Sequence, residues 1–450
     1  MSERVKHASN DTRRLATLQS EAFHYFQHAS DGMLPGLIAD CTHPQSACSI
    51  AAVGFALSAF VVASEIGLIS RTEALRRTLL SLRLFAHSEQ SEAPDAAGYR
   101  GFYYHFLDRS TGRRDNLCEI SSIDTALFIL GALTAARYFD SDRSEERELR
   151  ELAENIYRRV EWDWMLADGV ALCHGWMPER GFLPGRWTGY SEALLLYLLA
   201  LGSPTHPIPA RSYQEGWAAG HDWRDVLGYP FLYAGPLFIH QMTHCWVDLR
   251  GIQDDYMRGK GIDYFENSRR AIYAQQAYAV QNPRGFRGYG PDFWGLTACD
   301  GPGPIQLRAA DDRILSFYDY IARAIPDGPD DGTIAPCAVI ASLPFAPEIV
   351  LPTIESLAQS ELCHGSLYGF ETALNETFPK DADGRQTQWG WVSPYSYGIN
   401  LGPVVLMIEN HRSNLIWRLM RESPWIVAGL HRAGFTGGRL DDLPAASPTT

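Results

Sequence analysis

Trp187-Thr188-Gly189-Tyr190-Ser191-Glu192 runs straight into Ala193-Leu194-Leu195-Leu196-Tyr197-Leu198-Leu199-Ala200-Leu201-Gly202. From Ala193 to Leu201 no residue is charged and only the Tyr197 hydroxyl is polar. A helix that is apolar on every side belongs in a core rather than on a surface. Gly202 and Ser203-Pro204 supply a stop, and Thr205 is placed to cap a following helix with Pro207 in its first turn. Glu192 is thus expected in the first turn of a buried helix, beside Trp187 and Tyr190. A carboxylate there is ordinarily a dipole partner or a cap. Its aromatic neighbours open a second reading, as chemistry.

Working outward, the same alternation of buried-type and surface-type helices recurs. An amphipathic helix at 10–29 leads in; an apolar, small-residue helix at 47–67 precedes a polar one at 70–87. Another apolar helix opens at Ser121-Ser122-Ile123-Asp124-Thr125 and runs to Phe139, ahead of a charged one at about 143–166. The Glu192 helix precedes 206–219, and weaker pairs follow at 236–248 with 263–281, 334–341 with 347–359, and 401–410 with 412–422. Six antiparallel pairs without a convincing strand series or a fixed repeat predict an all-α fold, an (α/α)6 barrel of six inner and six outer helices. The long connections 88–120, 167–187, 220–235, 282–333 and 360–400 then gather at one end, where the inner helices begin. They carry Tyr99 to Phe106, Trp176, Tyr229 to Tyr233, Tyr289 to Trp294, Tyr368 and Trp389-Gly390-Trp391, so an aromatic-lined cleft is expected there. One domain over 1–435 and a flexible tail over 436–450 complete the expected organisation.

Composition narrows the partners. The net charge of −14 argues against nucleic acid or an anionic membrane, which demand a basic surface, and is compatible with a neutral ligand such as a sugar. No segment reaches the ~18 apolar residues of a membrane span. The eight cysteines form no C-x-x-C pair, and His240 and His244 lack the glutamate of the zinc-protease pattern, so neither a metal nor a cofactor is expected. The polar start of the chain, Met1 to Ser20, has no apolar signal region, which predicts a cytoplasmic location.

Glu119, Asp124 and Glu192 precede or open inner helices. Glu119 and Asp124, five apart, would lie about 140° round a helix, so Glu119 is expected just before it. Ser121-x-x-Asp124 is also close to a capping box. In a barrel with parallel inner helices, Asp124 and Glu192 reach the same mouth. Two carboxylates across a ring-lined cleft are what glycosidic cleavage requires, one to protonate the leaving oxygen and one as base or nucleophile. A helix N-terminus lowers a carboxylate's pKa, so packing against Trp187 and Tyr190, or a neighbouring carboxylate, has to outweigh it. Asp300 and Asp331 sit in Asp-Gly sequences that are first of all turn signals, and Glu409 is expected at the opposite end of its helix.

Taken together, Ser49-Ile50-Ala51-Ala52-Val53-Gly54-Phe55, His105-Phe106-Leu107-Asp108, Glu119-x-Ser121-x-x-Asp124-Thr125, Trp187-x-Gly189-Tyr190-x-Glu192-Ala193, Leu201 to Pro207, Trp294 to Ala298 and Ile408-Glu409-Asn410 resemble the bacterial glucoamylase-like domain. That domain is found in glycoside hydrolase family 144 endo-β-1,2-glucanases, and a related one occurs in cyclic β-1,2-glucan synthases. The resemblance spans about residues 15–425. It implies an (α/α)6 barrel that hydrolyses β-1,2-glucan or its gluco-oligosaccharides with inversion, with Glu192, Glu119 and Asp124 in the pocket. On that basis Glu192 is assigned as general acid, Asp124 as base with Glu119 as substitute, and Trp187, Tyr190, His105, Trp294, Asp300, Asp331, Tyr368 and Trp389 as substrate contacts. A transglycosylase on the same scaffold and a non-catalytic saccharide-binding protein are the alternatives.

Overall fold

The computed structural model describes residues 3–308, 312–360, 365–379, 386–387 and 390–443. The fold class is all-α, that of the (α/α) barrels. The chain divides into two compact units, each discontinuous in sequence.

The unit comprising 26–222, 242–266 and 413–450 holds the most apolar helices. Ile50–Glu65 is buried from Ile50 to Ala63, and its first turn is capped by Ser49, whose hydroxyl accepts from the Ala52 N–H at 3.4 Å. Ser122–Tyr138 is capped in the same way by Ser121, and Leu194–Gly202 is buried at every residue. Polar partners follow the first two: Arg71–His87, capped by Ser70, and Ser144–Arg158. These boundaries fall within three residues of those expected, except that Ser144–Arg158 stops short and the chain resumes with a 3-10 turn at Trp164–Leu166.

Two expectations are corrected here. The stretch 206–219 is not an α-helix: Ser212–Trp217 winds as a π turn and Ala218–Gly220 as a 3-10 turn. Pro207 and Pro209 delay any helix, and Thr205 donates its hydroxyl to the Arg158 carbonyl instead of capping. The helix that packs on Leu194–Gly202 is instead Pro424–Arg432, which the sequence reading missed. Part of the expected tail is also held, since Gln253 and Thr436 exchange backbone hydrogen bonds of 2.9 Å and Leu440 is buried.

Close approach between these helices rests on glycine. A Cβ at Gly131 would lie 2.1 Å from the Gly54 carbonyl oxygen, and one at Gly54 would lie 2.3 Å from that of Leu127. Gly202 and Gly429 repeat the arrangement, against the carbonyls of Trp425 and Leu198 at 2.0 Å each.

Short strands, not foreseen in the sequence, organise the long connections of this unit. Gly98–Tyr99, Phe102–Tyr104, Ile120–Ser121, Gly175–Met177 and Gly181–Phe182 pair antiparallel in that order, with Tyr103 opposite Ser121 and Ile120 opposite Trp176. Cys48–Ser49 pairs with Phe106–Leu107. The connections are thereby fixed at the starts of Ile50–Glu65 and Ser122–Tyr138.

The other unit comprises 1–25, 223–241 and 267–412. It contains most of the N-terminal helix Glu3–His28 and of Tyr264–Gln281, together with Pro336–Ala341, Pro347–Gln359 and nearly all of Gly398–Ser413. Its connections are hairpins, among them Trp223–Val226 with Tyr229–Leu232 and Ile305–Arg308 with Ile314–Phe317. A cluster around Phe231, Tyr278, Leu296 and Ile325 forms part of its core.

Replacing Gly131 by Ala forces a methyl group into a backbone oxygen and is expected to lower stability by about 1–3 kcal/mol. Gly259, in the short helix Asp255–Lys260, has nothing within 4 Å of its would-be Cβ. Gly259→Ala should therefore raise stability by about 0.4–1 kcal/mol. Urea denaturation of both variants checks the contrast.

Candidate active site

Glu192 lies in the turn just before Leu194–Gly202 rather than inside its first helical turn, with its carbonyl accepting from the Leu195 N–H at 3.4 Å. Gly189, at φ 78°, turns the chain and donates its N–H to the Trp217 carbonyl at 2.8 Å. Ser191, between them, accepts from the Trp217 indole at 3.3 Å. Glu192 as a residue is half-buried. Desolvation raises its pKa to about 7; a bond from its own N–H opposes this and the charge of Asp124 adds to it. Burial therefore outweighs the helix terminus, and the placement outside the first turn helps it do so.

Asp124 opens Ser122–Tyr138. Its N–H donates to the Ser121 hydroxyl at 3.2 Å while that hydroxyl donates to its Oδ2, so the capping reading holds. The same carboxylate also faces His105, whose Nε2 is 3.6 Å from Oδ2. His105 Nδ1 is 3.0 Å from Glu119 Oε1, and the His105 N–H donates to the Glu119 carbonyl at 2.9 Å. Both residues continue the ladder that pairs Tyr104 with Ile120, which is why they meet across the strands. Glu119 thus precedes the helix, as its spacing predicted.

Asp40 is the member of this cluster that sequence reasoning missed. Its pKa is raised to about 6, by burial first; His105 opposes this and Asp124 reinforces it. Nothing in Ala39-Asp40-Cys41-Thr42-His43-Pro44 has a helical or strand period, so no pattern singled it out. At the ring, burial works against a charge, but Asp124, Glu119 and Asp40 together lift the His105 pKa to about 9. The imidazolium in turn holds Glu119 below the usual carboxylate range. Near neutrality one cation therefore stands among these acids.

Trp187 is half-buried, donates its indole N–H to Ser122 Oγ at 2.9 Å and lies over the His174 ring at 4.1 Å. Tyr190 is half-buried and stacks on Tyr264, with centroids 5.9 Å apart. His174, also absent from the sequence reading, has its pKa lowered by burial. Glu192, Asp124, Glu119, His105, Trp187 and Tyr190 all belong to one compact unit.

The remaining expected contacts lie in the other unit, where several are engaged internally. Trp294 is fully buried, its indole N–H on Thr353 Oγ1 at 2.9 Å, so it offers no face to a ligand. Asp331 is likewise corrected: both oxygens accept from the buried Arg323 at 2.8 Å, and the Tyr318 and Thr333 N–H groups complete its shell. It anchors its loop. Asp300 is largely buried, accepting from Ser393 Oγ at 2.8 Å and from the Gly301 N–H at 3.0 Å. Tyr368 is half-buried, edge-on to Tyr25, and Trp389 lies outside the described residues. Glu409 is buried and accepts from Gln19 at 3.1 Å.

With this geometry in place, the chain can be compared with known proteins. The glycoamylase family model, described as a glucoamylase, matches residues 184–424. The exo β-1,2-glucooligosaccharide sophorohydrolase (non-reducing end) of Parabacteroides distasonis is 28% identical over 419 residues, 85% of this chain and 52% of the relative. The chain thus spans about half the length of that curated relative. Among solved structures, an endo-β-1,2-glucanase from Chitinophaga pinensis, in complex with sophorotriose and glucose, is 26% identical at a TM-score of 0.79, covering 95% of this chain and 99% of its own. A β-1,2-glucanase from Parabacteroides distasonis is 26% identical at 0.80, covering 94% of this chain and 60% of its own.

His105 should titrate near pH 9 by NMR of its ring, and Glu119→Gln should bring that midpoint down. Because the folded value is raised, the ring's contribution to stability is complete below its unfolded pKa of roughly 6.5 and is lost as pH rises through about 9. A wild-type midpoint at the unfolded value would contradict the charge arrangement described.

Proposed function

As the chain belongs to the glycoamylase family, we propose that it is a glycoside hydrolase cleaving β-1,2-linked glucans or their gluco-oligosaccharides. The observation that carries the reading is Glu192: a half-buried residue whose carboxyl pKa is raised to about 7, electrostatically coupled to a second acid, Asp124. Paired carboxyls set apart in proton affinity are the arrangement that glycosidic cleavage needs.

In this reading Glu192, protonated, gives its proton to the glycosidic oxygen as the bond to the anomeric carbon breaks. A water attacks that carbon from the opposite face and loses a proton to Asp124, with Glu119 as the alternative base. The products are a hemiacetal of inverted configuration and a free hydroxyl on the leaving sugar, and both acids then return to their starting protonation through solvent. The imidazolium of His105, beside Asp124 and Glu119, helps to hold the base in position. Trp187 and Tyr190 offer ring faces to a pyranose. The relatives named above include one enzyme acting from the non-reducing end and one acting internally, so product length is part of the test.

Purified protein incubated with linear β-1,2-glucan and with sophoro-oligosaccharides should release shorter β-1,2-glucans, followed by mass, with the α-anomer appearing first by NMR. Cleavage of an α-1,4 glucan with neither β-1,2 substrate touched would overturn the assignment. Glu192→Gln should lower kcat about 10²–10⁴-fold with oligosaccharide binding retained. Since the acid must carry its proton, wild-type kcat/KM should fall as pH rises through about 7.

A further inference from the structure

In a chain of net charge −14, one cavity is conspicuously basic. It has a volume of about 530 Å³ and lies among residues 247–252 and 414–443 of a single unit. Arg250, Arg418, Arg421 and Arg439 line it, with Asp248 as the one lining carboxylate among the described residues. Two of these arginines are fixed in place. Arg250 donates to both Asp248 oxygens at 2.7 and 2.8 Å and to Asn414 at 3.0 Å, lying over the Trp417 ring at 4.3 Å. Arg421 reaches Asp248 Oδ2 at 3.1 Å.

Arg418 and Arg439 differ, since neither has an acidic partner among the described residues. Four guanidinium charges against one carboxylate leave a surplus of three on the lining. Asp263, outside the lining, also bears on Arg250 and trims that surplus. The lining also has an apolar part, which includes Val247, Ile252, Ile426 and Leu430. Guanidinium forks match phosphate oxygens in bidentate fashion, and a phosphate monoester brings roughly −1.5 to −2 charges. An uncharged glucan has no use for such a lining.

We infer that this cavity is a binding site for a phosphate-bearing small molecule, whose phosphate is held by Arg418 and Arg439 and whose organic part rests on the apolar wall. The lining shares no residue with the Glu192 cluster, and the inference does not depend on the proposed hydrolysis.

Calorimetric titration of the full chain with phenyl phosphate, inorganic phosphate and phenol tests the inference. Phenyl phosphate should bind with a Kd of about 1 mM or tighter, more tightly than inorganic phosphate, and phenol should not bind. The paired substitutions Arg418→Ser and Arg439→Ser, both at exposed positions, should weaken phenyl phosphate about tenfold or more and leave glucan hydrolysis unchanged. Equal affinity for the two phosphates would assign the site to free phosphate and overturn the role of the apolar wall. Absence of binding, phenol binding as well as phenyl phosphate, or undiminished binding by the double variant would overturn the site itself.

Discussion

A helix buried on every side can keep charged side chains only at its ends. Ile50–Glu65, Ser122–Tyr138 and Leu194–Gly202 are of this kind, and glycine lets two of their packings close to backbone distance. Side-chain chemistry along their length is therefore forbidden, because an unpartnered polar group there would lose its water without replacement. Asp124 and Glu192 occupy the permitted positions, one just inside and one just outside an N-terminus. The site is where the core's own rule leaves room for it.

That location alone would favour ionised acids, since helix N-termini attract negative charge. The surroundings of the two carboxyls differ. Glu192 is desolvated and feels Asp124, whereas Asp124 has a hydroxyl donor in Ser121 and an imidazole nearby. The short strands matter for the same reason. Pairing Tyr104 with Ile120 brings His105 and Glu119 face to face, so a backbone ladder sets the charge state of the cluster.

Much of this was legible in the sequence. Uncharged runs marked the buried helices, and Ser121 marked the start of one of them, because a hydroxyl ahead of an apolar run satisfies orphan N–H groups. Glu192 was placed inside the first turn although it lies just before the cap Ala193, since nothing in Ser191-Glu192-Ala193 distinguishes a pre-helical turn from a first turn. Strands of two to four residues are too short to show a period, which hid the ladder and, with it, the meeting of His105 and Glu119. Trp294 and Asp331 were read as ligand contacts because an aromatic or an Asp-Gly in a long connection looks the same whether it faces a cleft or supports a loop. Pro424–Arg432 carried a usable signal, Ser423-Pro424 ahead of an apolar run, that went unread.

The clasp between Gly202 and Gly429 has a consequence for how the protein is made. Leu194–Gly202 leaves the ribosome well before Pro424–Arg432, which packs on it, because that helix lies far downstream in the sequence. Until then a greasy nascent helix has no lid of its own, and the polypeptide must be shielded by chaperones or by transient collapse. Vectorial synthesis thus leaves Leu194–Gly202 to be covered by a helix, Pro424–Arg432, that is translated well after it.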